Sequence, residues 1–187
     1  MSPGEEQLLI EKAKTDKEAF VRLYDHYYPR IYGYVFRRTL GLERAKDITA
    51  ETFLKAYSKI GRFQWKGIPF SSWLFRIATN EMNMADRKRK YRPLSLDQLR
   101  EMSAFEPEDP QSLERERSEV ERQLEQSRDF LLIRQKLTLL SVKYQVVISL
   151  RYFEEKSIKE IAEILNKREG TVKSLLSRGL DQLKLLL

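Results

Sequence analysis

Residues 157–183 read SIKEIAEILNKREGTVKSLLSRGLDQL. Ile158, Ile161, Ala162 and Leu165 recur at i, i+3, i+4 and i+7, which is one face of an α-helix. Ser157 stands where an N-cap belongs, and Glu160 three residues later completes a capping box. Asn166 tolerates the left-handed backbone that a tight turn requires. Thr171 then restarts the chain, and Val172, Leu176 and Leu183 carry a second apolar stripe. The small side chain of Ala162 lets the second helix come close to the first. The stretch is therefore expected to form a helix-turn-helix.

The second helix of this unit turns Arg168, Thr171, Lys173, Ser174, Ser177 and Arg178 away from its stripe. These are donors for phosphate oxygens and for base edges in a major groove. An ordinary helical hairpin with a solvated polar face has the same spacing. The basic charge and the Ala/Asn/Val placement favour DNA.

Outward from this unit, the whole chain reads as helix. It has 187 residues, 41% of them hydrophobic, with only 7 Gly and 6 Pro. That composition disfavours a turn-rich β fold. There is no cysteine, so disulfides, thiol nucleophiles and Cys-ligated metals are excluded, and His26 is the only histidine. No metal site or cofactor is expected, and His26 is assigned no role. No apolar run approaches the ~18 residues of a membrane span, and the N-terminus lacks a secretory pattern. A soluble, cytoplasmic protein without membrane insertion is expected. Its net charge of +7 points to an acidic partner, nucleic acid first.

The charge is segmented. Residues 1–93 carry +8, residues 94–128 carry −5 and residues 129–187 carry +4. Three of the six prolines fall in PLSLDQLREMSAFEPEDP, residues 93–110, which reads as a linker. The expected architecture is all-α, with two small helical domains, 1–93 and 129–187, joined by a flexible acidic linker. A long charged helix is expected from about Gln111 to Leu137. Helices near Val142–Phe153, Ile158–Leu165 and Thr171–Leu186 follow. Glu154 and Glu155, at a helix end, are expected to be solvated.

In the first domain, Phe20, Leu23, Tyr24, Tyr27 and Ile31 follow helical spacing. Ile48, Phe53, Ala56 and Tyr57 do so less regularly. Residues 62–83, RFQWKGIPFSSWLFRIATNEMN, interleave aromatic, basic and polar groups, a mix suited to single-stranded nucleic acid. Phe70, Trp73 and Ile77 lie on an apolar stripe and read as core. Trp65 lies off it, in the loop before Gly67, and is the better candidate for stacking on a base. Arg76, Asn80, Asn83 and Arg87 share a polar helix face. The run Arg87–Lys90 complements the helix dipole at its end. Asp47 and Glu51 are at i, i+4 on one helix. With no His, metal cluster or phosphate loop beside them, a protein contact is favoured over acid–base chemistry.

Three stretches, in this order, resemble the extracytoplasmic-function (group IV) sigma-70 family of RNA polymerase sigma factors. AKDITAETFLKAYSKIGRF, residues 45–63, resembles its polymerase-binding helix. FSSWLFRIATNEMNMADRKRK, residues 70–90, resembles its minus-10 helix, and residues 157–183 resemble its minus-35 helix-turn-helix. The resemblance implies that Asp47, Glu51 and Lys55 face core polymerase. It puts Gln64, Trp65 and Lys66 beside the melted strand, and Asn80 and Asn83 near minus-10 bases. Arg168, Glu169, Thr171, Lys173, Ser174 and Arg178 would approach the minus-35 element. The implied partners are core polymerase, promoter DNA as duplex and as melted strand, and an anti-sigma protein. The implied activity is promoter selection with no catalysis by the chain itself. Ala50, Met84 and Leu175 depart from the family's usual Gln, Asp and Arg.

Two other readings are open on the residues. A stand-alone helix-turn-helix regulator accounts for residues 157–183 but not for the aromatic-basic loop. A nuclease or ligase would need a metal cluster or nucleophile, and the sequence offers neither.

Overall fold

The computed structural model describes residues 1–39, 41–65, 69–90 and 128–186. Among these residues there are helices and no strands. The expected acidic linker, the start of the expected long helix and Lys66 lie outside them. No described helix is long and apolar enough to cross a membrane.

The first lobe contains α1 (Pro3–Ala13), α2 (Lys17–Arg38), α3 (Leu42–Lys59), a 3-10 turn (Ile60–Arg62) and α4 (Phe70–Lys90). Helix α1 is absent from the expectations above, although its start is encoded locally. Ser2 accepts from the Glu5 N–H, the Glu5 carboxylate accepts from the Ser2 N–H, and Pro3 occupies the first turn. That satisfies two helix-end donors, and proline costs nothing there. The buried Tyr27 hydroxyl donates to the Glu6 carboxylate and ties α1 to α2. Burial first, and Glu6 second, push the Tyr27 phenol well above its ordinary range.

Helix α2 changes character along its length. Its first half buries one stripe, with Ala19, Phe20, Leu23 and Tyr27 inside. From Ile31 to Arg37 every residue is buried. A helix buried all round must be covered on both sides. Helices α1, α3 and α4 and the second lobe all pack against α2. Helix α3 buries Ala45, Ile48, Phe53 and Ala56, while Tyr57 stays half exposed, edge-on to Phe20. Helix α4 buries Phe70, Leu74, Phe75, Ile77, Ala78 and Met82. The expected stripe is thus core, with Trp73 only partly buried against it.

The second lobe contains α5 (Arg128–Leu139), α6 (Val142–Ile148), a π-helical turn (Ser149–Phe153), α7 (Ile158–Leu165) and α8 (Glu169–Lys184). The buried Gln145 side chain donates to the carbonyls of Leu140, at 2.8 Å, and Thr138, at 3.2 Å. It thereby satisfies acceptors that the end of α5 leaves open. Helix α8 crosses α6 at Gly179. A Cβ there would lie 3.1 Å from both Tyr144 Cβ and Ile148 Cδ1. The close approach of the last helix therefore depends on this glycine as well as on buried Ala162.

One expectation fails. Glu154 is 3% exposed, not solvated. Its carboxylate accepts from Arg37 and from Arg30 Nε at 2.9 Å, and its carbonyl accepts from Arg30 at 2.7 Å. Sequence alone places Glu154 at a helix end, where charges are usually hydrated. The partners lie more than a hundred residues away on α2, so no local pattern shows them. Glu155 is exposed as expected, in the left-handed region at φ 53°.

Candidate nucleic-acid interface

The expected helix-turn-helix forms. Ser157 caps α7 by accepting from the Glu160 N–H, and the Glu160 carboxylate accepts from the Ser157 N–H at 2.9 Å. Burial pushes the Glu160 carboxyl up. The Ser157 N–H, the Lys156 ammonium and the Ser157 hydroxyl together outweigh this and leave it below the ordinary carboxylate range. Asn166 adopts φ 51°, ψ 53°, and its N–H and that of Lys167 close the end of α7 onto Glu163 and Ala162 carbonyls. Ile161, Ala162 and Ile164 are buried on α7, and Val172, Leu176 and Gly179 on α8. Helix α8 starts at Glu169, two residues before the expected Thr171.

On α8 and at its N-cap, Arg168, Glu169, Thr171, Lys173, Ser174, Ser177 and Arg178 are all exposed. They wrap the first three turns opposite the buried stripe. The array offers three cations and three hydroxyls against one carboxylate, at the N-terminal part of a helix whose backbone donors also point outward. Leu175, noted above as a departure from the resemblance, is half-buried and packs against the core. A cation there would lose that packing.

On α4, Arg76, Asn80 and Arg87 are exposed and Asn83 is half-buried. Arg76, Asn80 and Asn83 line a cleft of about 740 Å³ whose far wall includes Val142, Asn166 and Lys167. Arg76 also donates to the Glu163 carbonyl at the end of α7. Arg87 reaches back to the Asn83 carbonyl instead. Gln64 is exposed, whereas Trp65 is half-buried and packed against the core, and Phe63, Phe70 and Trp73 form a separate set of ring contacts. Helix α4 is pinned to α3 by Lys55–Glu81 and Arg44–Asp86 ion pairs.

Asp47 and Glu51 are exposed on α3, one turn apart, while Lys55 is half-buried in its pair with Glu81. Leu54, 64% exposed, lies on the same face. Sequence reading did not single it out. The available signal is an apolar residue placed off the helix's own buried stripe.

Residues 23–92 match the family model for Sigma-70 region 2, and residues 130–183 match that for Sigma-70, region 4. The ECF RNA polymerase sigma factor SigW of Bacillus subtilis is 34% identical over 174 residues, covering 91% of this chain and 90% of that protein. The ECF RNA polymerase sigma factor BldN of Streptomyces coelicolor is 33% identical over 180 residues. That match covers 96% of this chain and 64% of BldN, so the chain spans just under two thirds of that relative. Among solved structures, CnrH in complex with the cytosolic domain of CnrY has the same fold. Its TM-score is 0.66 at 19% identity, over 97% of this chain and 96% of that one. So does the sigma factor RpoE in complex with the anti-sigma factor NepR from Bartonella quintana. Its TM-score is 0.65 at 22% identity, over 89% and 95%. Two regions in family order, on a fold shared along nearly the whole length, place the chain in the ECF group of the sigma-70 family of sigma factors.

Proposed function

We propose that this chain directs bacterial RNA polymerase core to a set of promoters and assists their opening, without catalysing a reaction itself. The observation that carries the reading is the exposed basic and hydroxyl-bearing face of α8, set on a capped helix-turn-helix within a sigma-70 region 4 match. Arg168, Glu169, Thr171, Lys173, Ser174, Ser177 and Arg178 are its contacts to the upstream element. Helix-in-groove contact fixes register through phosphates and preference through base edges.

Arg76, Asn80, Asn83 and Arg87, with Gln64, Trp65 and Lys66, serve the downstream element and its unpaired strand. Flipping a base out costs a few kcal/mol, which its receiving site must recover. Trp65 is partly buried against the core, so only its remaining exposed surface is available to a base. Asp47, Glu51 and exposed Leu54 form the face toward core polymerase, with Lys55 holding α3 to α4 from the same side. Bridging two DNA elements from one polymerase-bound body supplies affinity through effective concentration. An anti-sigma protein is the proposed restraining partner, and the proposed location is the cytoplasm.

Gel-shift titration with and without core enzyme tests the reading. A sigma factor forms a stable promoter complex only with core. Operator binding of equal strength by the chain alone would support a stand-alone regulator instead.

A further inference from the structure

The two lobes meet through buried charge. Glu154, at the end of the π-helical turn, is held by Arg30 and Arg37 of α2. Arg37 is 8% exposed, and its guanidinium lies 5.0 Å from the centre of the Phe153 ring. Two residues on, Lys156 is 5% exposed and donates to Ser71 of α4 at 2.9 Å. A second donation, also 2.9 Å long, goes to Glu160 of its own lobe. Between Glu154 and Lys156 the backbone passes through Glu155 in the left-handed region, which is costly for a residue with a Cβ. The turn is closed within its own lobe, where the Lys156 N–H donates to the Leu150 carbonyl at 2.9 Å and Arg151 donates to the Lys156 carbonyl at 3.0 Å, and it aims Glu154 and Lys156 at the first lobe.

The seam also buries apolar surface around Ile31–Phe36 of α2, and the ions set into it behave differently from that apolar part. Ions lose hydration on closing and regain it on opening, so their net gain from closure is small. Their geometry still selects one arrangement. These are the properties of a reversible catch.

Closure treats the two candidate DNA faces differently. The face of α8 stays open to solvent. On α4, Arg76, Asn80 and Asn83 look into a cleft of about 740 Å³, the size of a site for one small molecule, while Arg87 lies outside it. Duplex cannot enter it, and Arg76 is already spent on the Glu163 carbonyl across the seam.

We propose that Arg30 and Arg37 on Glu154, with Lys156 on Ser71, form a latch that closes the free chain on itself, masking α4 while leaving α8 able to read duplex. The latch follows from the contacts alone. The identity of what is masked rests on the DNA reading of α4 given above.

The absence of native cysteine allows a clean test. Cysteines placed at exposed Lys17 and Gln182, in the otherwise unaltered chain, carry a donor and an acceptor dye. The unmutated latch is expected to give one predominant energy-transfer population. Glu154→Gln is expected to raise the ratio of open to closed molecules at least ~10-fold. Arg30→Gln removes a partly exposed partner without stranding a buried charge, and is expected to shift the ratio in the same direction by less. Helix content by circular dichroism identifies any variant that misfolds. Transfer distributions unchanged in folded Glu154→Gln and Arg30→Gln overturn the latch. The same samples are titrated with a mixed-sequence single-stranded DNA. A gain of ~10-fold in affinity on opening supports masking of α4. Opening without any gain upholds the latch and refutes α4 as the masked DNA face, so the two ideas fail separately.

Discussion

Gly179→Ala is expected to destabilise the second lobe, against its helix propensity. Helix α8 gains about 1 kcal/mol when an interior glycine becomes alanine. The new methyl would stand 3.1 Å from Tyr144 Cβ, 3.1 Å from Ile148 Cδ1 and 3.4 Å from Tyr144 Cδ1. Ile148 Cδ1 is the free end of a side chain and can swing aside. Tyr144 Cβ is fixed to the backbone of α6, so the helices must separate by several tenths of an ångström. Overpacking of this kind costs about 1–3 kcal/mol. The net expectation is a loss of about 1 kcal/mol, or a Tm lower by roughly 2–4 °C for a chain of this size. Gly170→Ala is the internal control. It lies in the first turn of the same helix with nothing within 4 Å of the added Cβ, so only the propensity gain remains. Its Tm is expected to rise. Thermal unfolding followed by circular dichroism reads both. Equal stabilisation by the two substitutions would refute the argument that α8 is held against α6 through a missing side chain.

Three further outcomes are expected. Asn166→Ala should cost about 1 kcal/mol at the left-handed turn, while Asn166→Gly should be neutral or better, as urea unfolding would show. Glu160 has a depressed pKa in the folded chain, so its contribution is present above the ordinary carboxylate range and disappears as pH falls through the folded-state value. The urea midpoint should therefore fall between pH 6 and pH 3, and Glu160→Gln should lessen that fall. Arg178→Ala should weaken upstream-element binding by polymerase holoenzyme and lower the slope of log K against log salt by about one. An unchanged slope would remove Arg178 from the phosphate contacts.

The helix-turn-helix was legible because each of its instructions is local. A cap, a periodic face and a turn residue all lie within a few positions of what they control, and Ser157, Ile161 and Asn166 do what their spacing implies. The start of α1 was equally local, in Ser2, Pro3 and Glu5, but a short helix with a weak apolar face gives little periodicity to notice. What stayed hidden is long-range. Glu154 reads as an ordinary charged helix end because its partners on α2 are remote in sequence. The continuous burial of Ile31–Arg37 looks like excess hydrophobicity until the second lobe is seen to cover it. Gly179 reads as a mild helix breaker, and its value appears only when α6 is set against it. Lys55 is a further case: Glu81 engages it from the neighbouring helix, 26 residues away, and no local pattern shows that pairing.

Run-off transcription with bacterial core enzyme on a library of genomic promoter fragments tests the central claim most directly. Adding the purified chain should produce transcripts from a discrete subset of fragments, and these should share spaced upstream and downstream elements. Core enzyme that neither binds the chain nor gains new start sites, with any restraining protein removed, would contradict the account.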